Sequence, residues 1–446
     1  MLMGWGGTAP TRARMLHVGS ADEARDALEQ VDSRGAIARG LGRSYGSPAQ
    51  NAGGLVLAIA GQGGTPRLDV AAGTVTAHAG ISLDDLMKYL VPQGFFVPVT
   101  PGTRQVTLGG AIAADIHGKN HHVEGSLGSH IARLRLFLAD GTVQELSPEQ
   151  APELFWATVG GMGLTGVILD ATIRLLPIET SQMLVDTERT TDLDDVCARM
   201  AEGDHRHRYS VAWVDLSATG RRLGRSVLSS GDHAPLAALS RRELNDPLHF
   251  SPHTPLAAPR IPNGLLNRLS IHAFNEMWYH KAPKQRRDHV TSISSFFHPL
   301  DGVRWWNRLY GPQGFVQYQI IIPFGAERVL RTVVERMARF GDPSFLVVLK
   351  RFGAGNPGPL SFPMPGWTIT VDIAAGRRGL SPLLSSLDHL VLDAGGRHYL
   401  AKDGHMTAAA MRRGYPRLDE WKAIRDKADP TGVWQSDLAR RLGLIS

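Results

Sequence analysis

The sequence predicts an α+β fold in two domains, and three observations carry that reading. From residue 20 to about 175, capped helix patterns interleave with short strand patterns, the texture of a mixed α and β domain. Between residues 315 and 373, three strand patterns enclose one helix, as in an antiparallel sheet with a helix against it. Residues 230–270 are rich in Pro, Ala, Ser and His without periodicity, which predicts long loops. A chain of 446 residues, 43% hydrophobic and 20% charged, is long enough for two or three buried cores.

The elements follow in order. Ser20 with Glu23 forms a capping-box pattern that opens a helix through "ADEARDALEQV", and "GAIARG" reads as a short buried strand. Ser82 with Asp85 repeats the device ahead of Leu83, Leu86, Met87 and Leu90, whose i, i+3, i+4, i+7 spacing is the stripe of a core-packed helix. "RLRLFLADGTVQEL" alternates around Asp140-Gly141 as a hairpin, and Ser147, Pro148 and Gln150 are expected to start a helix through "ELFWATV". Further on, "FVQYQIIIP", "SFLVVLKRFG" and "GWTITVDI" read as strands, with "AERVLRTVVERMARF" a helix between the first two. Residues 180–395 thus form a second domain on an antiparallel sheet.

Composition excludes several classes. Cys197 is the single cysteine, so no disulfide within the chain forms. The opening "MLMGWGGTAPTRAR" has no apolar run ahead of its arginines and no stretch of 18 apolar residues occurs, so neither a secretory signal nor a transmembrane helix is expected. The net charge is +6, and residues 201–290 hold 13 Lys and Arg against 8 Asp and Glu. That excess is either a solvated face or a patch for anionic headgroups or a phosphorylated substrate. The basic residues are scattered and no nucleic-acid motif accompanies them, so no nucleic-acid partner is expected.

Three glycine-rich segments remain. "GGMGLTG" holds Gly161, Gly163 and Gly166 in a literal G-x-G-x-x-G, but a helix precedes it and a strand follows, the reverse of a dinucleotide fingerprint. "ARGLGRSYG" can turn tightly at Gly40, Gly42 and Gly46 and aim backbone N–H groups at an anion. "PGTRQVTLGGAIAADIHGKNHH" supplies a second such wall. Its "DIHGKNHH" holds one carboxylate and three imidazoles, which fits a metal site, a polar surface loop or the wall of a cofactor site. Gly118 should break the helix that would bring His117 and His121 to one face, and Lys119 adds a charge where a dication would sit, so no metal is expected.

Together the three segments resemble the FAD-binding domain of the vanillyl-alcohol oxidase family of flavoproteins, the PCMH-type fold. More narrowly, "GLGRSYG", "PGTRQVTLGGAIAADIHGKNHH", "ELFWATVGGMGLTG", "GFVQYQIIIP" and "LAKD" resemble the polyprenylphosphoryl-ribose oxidases within it, from Gly4 to the "SDLARRL" tail. These are the flavin half of an actinobacterial epimerase that makes the arabinose donor for cell-wall arabinan. The resemblance implies an FAD domain of residues 1–180 plus 397–446, with a substrate domain over 181–396. The implied reaction oxidises the ribose 2′-hydroxyl of a polyprenyl (decaprenyl) phosphoryl ribose to a ketone. An NAD(P)H-dependent short-chain reductase would complete the epimerisation, a quinone-type acceptor would take the electrons, and the enzyme would lie peripherally on the cytoplasmic or periplasmic face of the plasma membrane.

The resemblance also implies residue roles. Lys402 and His117 are the matching catalytic positions: a base must take the hydroxyl proton as hydride leaves, Lys402 only if its pKa is lowered, His117 with a smaller shift. The expected FAD contacts are Arg39, Gly40, Leu41, Gly42, Arg43, Ser44, Tyr45 and Gly46 in the first segment. In the second they are Pro101, Gly102, Thr103, Gly109, Gly110, Ala113, Ile116, His117, Gly118 and Asn120; Gly163, Ile168, Tyr399 and Lys402 complete them. The sugar pocket is expected to hold Tyr45, Lys119, Trp213, Phe297, Gln317, Gln319, Lys350, Phe352, Thr368 and Thr370. Gln317 and Gln319, two apart on one strand, face the same side and can fix sugar hydroxyls; Trp213 offers an apolar wall or is simply core.

Two positions depart from the family. Arg43 stands where many of these flavoproteins carry the histidine that tethers FAD, so noncovalent FAD is expected. Thr368 and Thr370 stand where mycobacterial relatives carry Asn and Cys. Other readings stay open: an oxidase of soluble alditols or aldonolactones, or a lipid- or glycan-binding module, which would be colourless.

Overall fold

The structure is a computed structural model that describes residues 1–252, 256–341 and 344–445. Residues 253–255 of the expected loop region and Ser446, at the end of the last expected segment, lie outside them. The local signals in the first third hold. Ser20 Oγ accepts from Glu23 N at 3.2 Å above the helix Ala21–Leu28, and Ser82 Oγ accepts from Asp85 N at 2.9 Å above Leu83–Leu90. All four stripe residues of the second helix are buried, each contributing about 1.5–3 kcal/mol relative to exposure. The hairpin joins Ile131–Phe137 to Val143–Leu146 through Gly141, whose φ of 79° is the left-handed conformation its turn requires.

One start signal misplaces its helix. Ser147 Oγ accepts from Glu149 N and Gln150 N, closing a local turn, whereas the helix begins at Pro152 behind Ala151, which has a φ of 54°. Proline at the first helical position, needing no N–H partner, is the stronger local signal.

Three main sheets result. Arg14–His17, Leu55–Ala58 and Ala36–Arg39 pair in parallel in that order. A five-stranded antiparallel sheet runs Arg67–Asp69, Thr74–His78, Val167–Arg174, Ile131–Phe137, Val143–Leu146. The eight-stranded sheet is antiparallel too, in the order Gln285–Ser292, Gln182–Thr190, Ser226–His233, Tyr209–Val214, Val347–Phe352, Gly366–Ala374, Phe315–Pro323, Arg397–His398.

One core gathers buried side chains mostly from residues 18–185 and 392–444, joined by Tyr209, Ile293, Phe296, Phe297, Ile321, Phe352, Leu360 and Phe362. Trp421 within it donates Nε1–H to the Ala157 carbonyl at 2.9 Å, and Trp434 bridges in parallel to Ala36, so the last segment closes onto the first sheets. A second core lies under one face of the eight-stranded sheet, covered by the helices Leu193–Gly203, Glu327–Phe340 and Leu380–Asp393.

Strand periodicity of two then sets the site. Tyr318, Ile320, Leu349, Ile369 and Val371 enter that core, so Gln317, Gln319, Lys350, Thr370 and Asp372 must face the other way. Above that opposite face lies the helix Arg268–Lys281, anchored by buried Asn275, whose Nδ2 donates to Asp215 Oδ1 at 2.9 Å.

Candidate active site

A cavity of about 650 Å³ lies between the glycine-rich segments and the polar face of the eight-stranded sheet. Residues 40–45 form one wall, 100–103 and 109–119 another, and Gly163, Tyr399 and Lys402 close the far side. The two glycine segments touch where only glycine fits: a Cβ on Gly40 would lie 2.2 Å from Thr107 Oγ1. Among the described residues, the backbone N–H groups of residues 40–44 find no protein acceptor, and Arg43 Nε is buried without one. A run of unpaired donors beside a large cavity is the chemistry of an anion cradle and fits the diphosphate of a dinucleotide. The second wall is held from outside the segment by Asp301, which accepts from Thr103 Oγ1 at 2.7 Å and Arg104 N at 2.8 Å.

The "DIHGKNHH" side chains go to separate places. Asp115, with a φ of 40°, accepts from Ser126 Oγ, Gly128 N, Asn356 Nδ2 and Ser361 Oγ, tying this loop to residues 356–361. His121 Nδ1 accepts from Gly353 N at 3.2 Å, while His122 Nε2 lies 3.0 Å from the His207 carbonyl. His117 alone of the three imidazoles borders the cavity. Lys119 also borders it, its ammonium bonded to the Phe296 carbonyl and 4.3 Å from that ring's centroid. The ligand atoms close enough to share an ion among the described residues lie elsewhere, on Asp388, His398 and His405.

On the sheet, one cross-strand row runs Gln319, Thr370, Val348, Trp213, Val227, and a neighbouring pair is Gln317 with Asp372. Gln319 Nε2 lies 2.9 Å from His117 Nε2, and Gln317 donates to Asp372 Oδ1. Lys402 Nζ stands 3.8 Å from the Tyr45 ring centroid.

Burial dominates the electrostatics. It lowers the Lys119 amine to about 7, with Lys350 adding repulsion, and lowers Lys350 itself to about 8. His117 is held well below its ordinary value by burial and then by Lys350, His121 and Lys402, so its ring is neutral. Burial lowers Lys402 although Asp372 opposes the shift, and burial raises Asp372 against Gln317 and Lys402. An acid and an amine are thereby brought toward one titration range.

Most expected site residues border this cavity; five do not. Arg39 bonds the Ala49 and Met3 carbonyls behind the first loop, and Gly46 packs against the Asp403 carbonyl. Asn120 donates to the Pro98 carbonyl, supporting the second wall. Phe352 lies against the His117 and His121 rings, with centroids at 4.8 and 4.3 Å. Thr368 bonds the Ile320 carbonyl and accepts from Gln319. Asp372 was not among the expected residues, yet it stands two positions beyond Thr370 on the same face.

Residues 13–147 match the model of an FAD-binding domain family, and residues 380–442 match that of the D-arabinono-1,4-lactone oxidases. Over 450 aligned residues, covering 100% of this chain and 97% of the relative, the chain is 45% identical to the decaprenylphosphoryl-beta-D-ribose oxidase of Mycolicibacterium smegmatis. It is 41% identical to an uncharacterised Streptomyces coelicolor protein, across 82% of this chain and all of that one. Identity to the L-gulono-1,4-lactone dehydrogenase of Mycobacterium tuberculosis is 24%, across 95% of this chain and 94% of the relative.

Proposed function

The chain belongs to the decaprenylphosphoryl-β-D-ribose oxidase family, and from that premise we propose that it oxidises the ribose 2′-hydroxyl of a polyprenylphosphoryl ribose to the ketone. It is an FAD-dependent oxidoreductase. Bound in the cradle, FAD supplies the acceptor for the hydride leaving C2′. Arg43 in the tether position supports noncovalent attachment.

The chain's own residues hold the sugar and take the proton. Gln317, Gln319 and Thr370 present amide and hydroxyl groups to the sugar from one sheet face, and Lys119 and Lys350 add cationic donors. Lys402 is the base, because burial lowers it toward the neutral amine that can accept the hydroxyl proton. His117 is the positioning residue: its Nε2 accepts from Gln319, and its Nδ1 is sealed without a partner. A neutral ring with neither nitrogen open toward substrate steadies Gln319 instead of taking the proton.

The carrying observation is the placement of Lys402 and the polar row Gln319–Thr370 on one cavity with the FAD cradle. Reconstituted protein should turn over polyprenylphosphoryl ribose and leave free alditols untouched. The match of residues 380–442 to the D-arabinono-1,4-lactone oxidases favours a second reading, a soluble lactone substrate, and turnover of a lactone in the same assay would select it.

For residues 1–180 with 397–446 as the FAD domain and 181–396 as the substrate domain, the support is that the first core joins both ends of the chain, although Tyr209, Phe296, Phe297 and Phe352 enter it too. A ketone product calls for an NAD(P)H-dependent reductase to complete epimerisation. A lipid-linked substrate calls for peripheral membrane contact; no helix among the described residues is long and apolar enough to cross a bilayer.

A further inference from the structure

The cavity's character changes along the sheet. From the strand of Gln319 to that of Val227 is four interstrand steps, about 19 Å at the usual spacing. At the Gln319 end the lining includes neutral His117 and the amines of Lys350 and Lys402, while Lys119, whose carbonyl accepts from Ser210 N at 2.9 Å, borders the cavity over the strand of Tyr209. Around the Trp213–Val227 pair the walls are mainly apolar, made by Val211, Val227, Phe274, Trp278, Phe345 and Leu346 with the hydroxyl of Ser229 among them. Phe274 packs edge-on to Phe345 with centroids 5.9 Å apart and parallel to Trp278 at 5.9 Å. Trp213 marks the boundary, its indole N–H donated to the Phe345 carbonyl at 2.9 Å, so its ring offers the cavity no unpaired donor.

We infer that this apolar end, roofed by the helix Arg268–Lys281, binds the first isoprenoid units of the substrate, and that Phe274 and Trp278 make the enzyme selective for a prenylated phosphate. The inference rests on the proposed substrate and names where its tail goes. With the sugar at the polar end, the phosphate and then the tail must leave through the rest of one continuous cavity. A branched hydrocarbon is the occupant that mainly apolar walls can take from water at little cost in polar desolvation. The same helix exposes apolar side chains, Leu269 79%, Met277 56% and Trp278 41%, and Trp278 also lines the cavity, so an emerging tail meets an apolar helix surface.

Each methylene buried there strengthens binding roughly fourfold when it comes from water. The test uses holoenzyme and water-soluble methyl, prenyl and geranyl esters of phosphoryl ribose. KM should fall at least tenfold from methyl to geranyl, and Phe274→Ser and Trp278→Ser should shrink that ratio. Equal KM values across the series would overturn the inference while leaving the oxidation intact. Calorimetric titration with geranyl phosphate and methyl phosphate, which lack the ribose, reads the groove even if no ester is oxidised. Tighter binding of geranyl phosphate, weakened in Trp278→Ser, supports the groove; equal binding of the two sinks it.

Discussion

Gln319 Nε2 and His117 Nε2 lie 2.9 Å apart across the seam between the eight-stranded sheet and the loop of residues 115–120. The amide is the donor, so the ring is neutral with its hydrogen on Nδ1, an atom sealed from the cavity. The two residues most suggestive of a catalytic pair, His117 and Lys402, therefore separate into different roles.

Lys402→Ala should keep the fold and lose about 10²- to 10⁴-fold in turnover, the usual contribution of a general base. Because the neutral amine is the active form, kcat/KM in the wild type should rise with pH through a lowered lysine pKa, then level off. The variant should lack that limb. A pH profile of both proteins checks it; a limb surviving in Lys402→Ala moves the proton elsewhere.

His117→Ala should act mainly through KM, because Gln319 loses the partner that aims it. A loss in kcat as deep as that of Lys402→Ala would return the base to His117. Steady-state kinetics of the two variants side by side decide between the roles.

Protein precipitated with acid should leave all its yellow colour in the supernatant, since Arg43 offers no tether. Gly40→Ala should lower the flavin-to-protein ratio on purification, because the added Cβ meets Thr107 Oγ1 at 2.2 Å. Colour in the pellet, or full flavin content in the variant, would contradict the cradle.

Thr370 borders the cavity opposite Gln319. The family resemblance implies a cysteine at this position in mycobacterial relatives, a nucleophile able to trap reduced nitroaromatic inhibitors; a threonine hydroxyl stays protonated and unreactive. Burial pushes the Cys197 thiol up to about 12, so it is no substitute. Intact-mass spectra after incubation with such an inhibitor and substrate should show an adduct on Thr370→Cys and none on the unmodified protein.

How much of this was legible follows from local chemistry. The glycine segments and the capped helices could be read because their signals are contained within a few residues. Gln285–Ser292 reads "QRRDHVTS", an exposed edge strand whose charges hide its period. Arg268–Lys281 carries Leu269 and Met277 outward and Ile271 and Phe274 inward, which erases the one-sided stripe that marks a helix. Asp372 was legible in principle: after Thr370, the period of two places it on the cavity face. The local excess of basic residues is partly neutralised by ion pairs, Arg225 with Asp215 in the interior and Arg208 with Glu124 and Arg287 with Asp186 nearer the surface.

Behind the loop that carries Lys402, Asp388 holds His398 at 2.8 Å and His405 at 3.2 Å. Burial works against the Asp388 carboxylate, but these bonds keep it well below its ordinary value; burial likewise opposes the charged His405, but Asp388 raises it above its own. The carboxylate's contribution is present above about pH 4 and lost as pH falls; the imidazolium's is present below about pH 6.5 and lost as pH rises through the raised value. Asp388→Asn should lower the thermal midpoint most between those limits. A deficit independent of pH would contradict the pairing.

The central claim is that the C2′–H bond of a lipid-linked ribose breaks in this cavity. Single-turnover loss of the yellow colour, measured with substrate deuterated at C2′ or at C3′, tests it most directly. A primary isotope effect from C2′ alone, with the 2′-ketone recovered, is the predicted result; an effect from C3′, or colour lost only with soluble polyols or lactones, would contradict it.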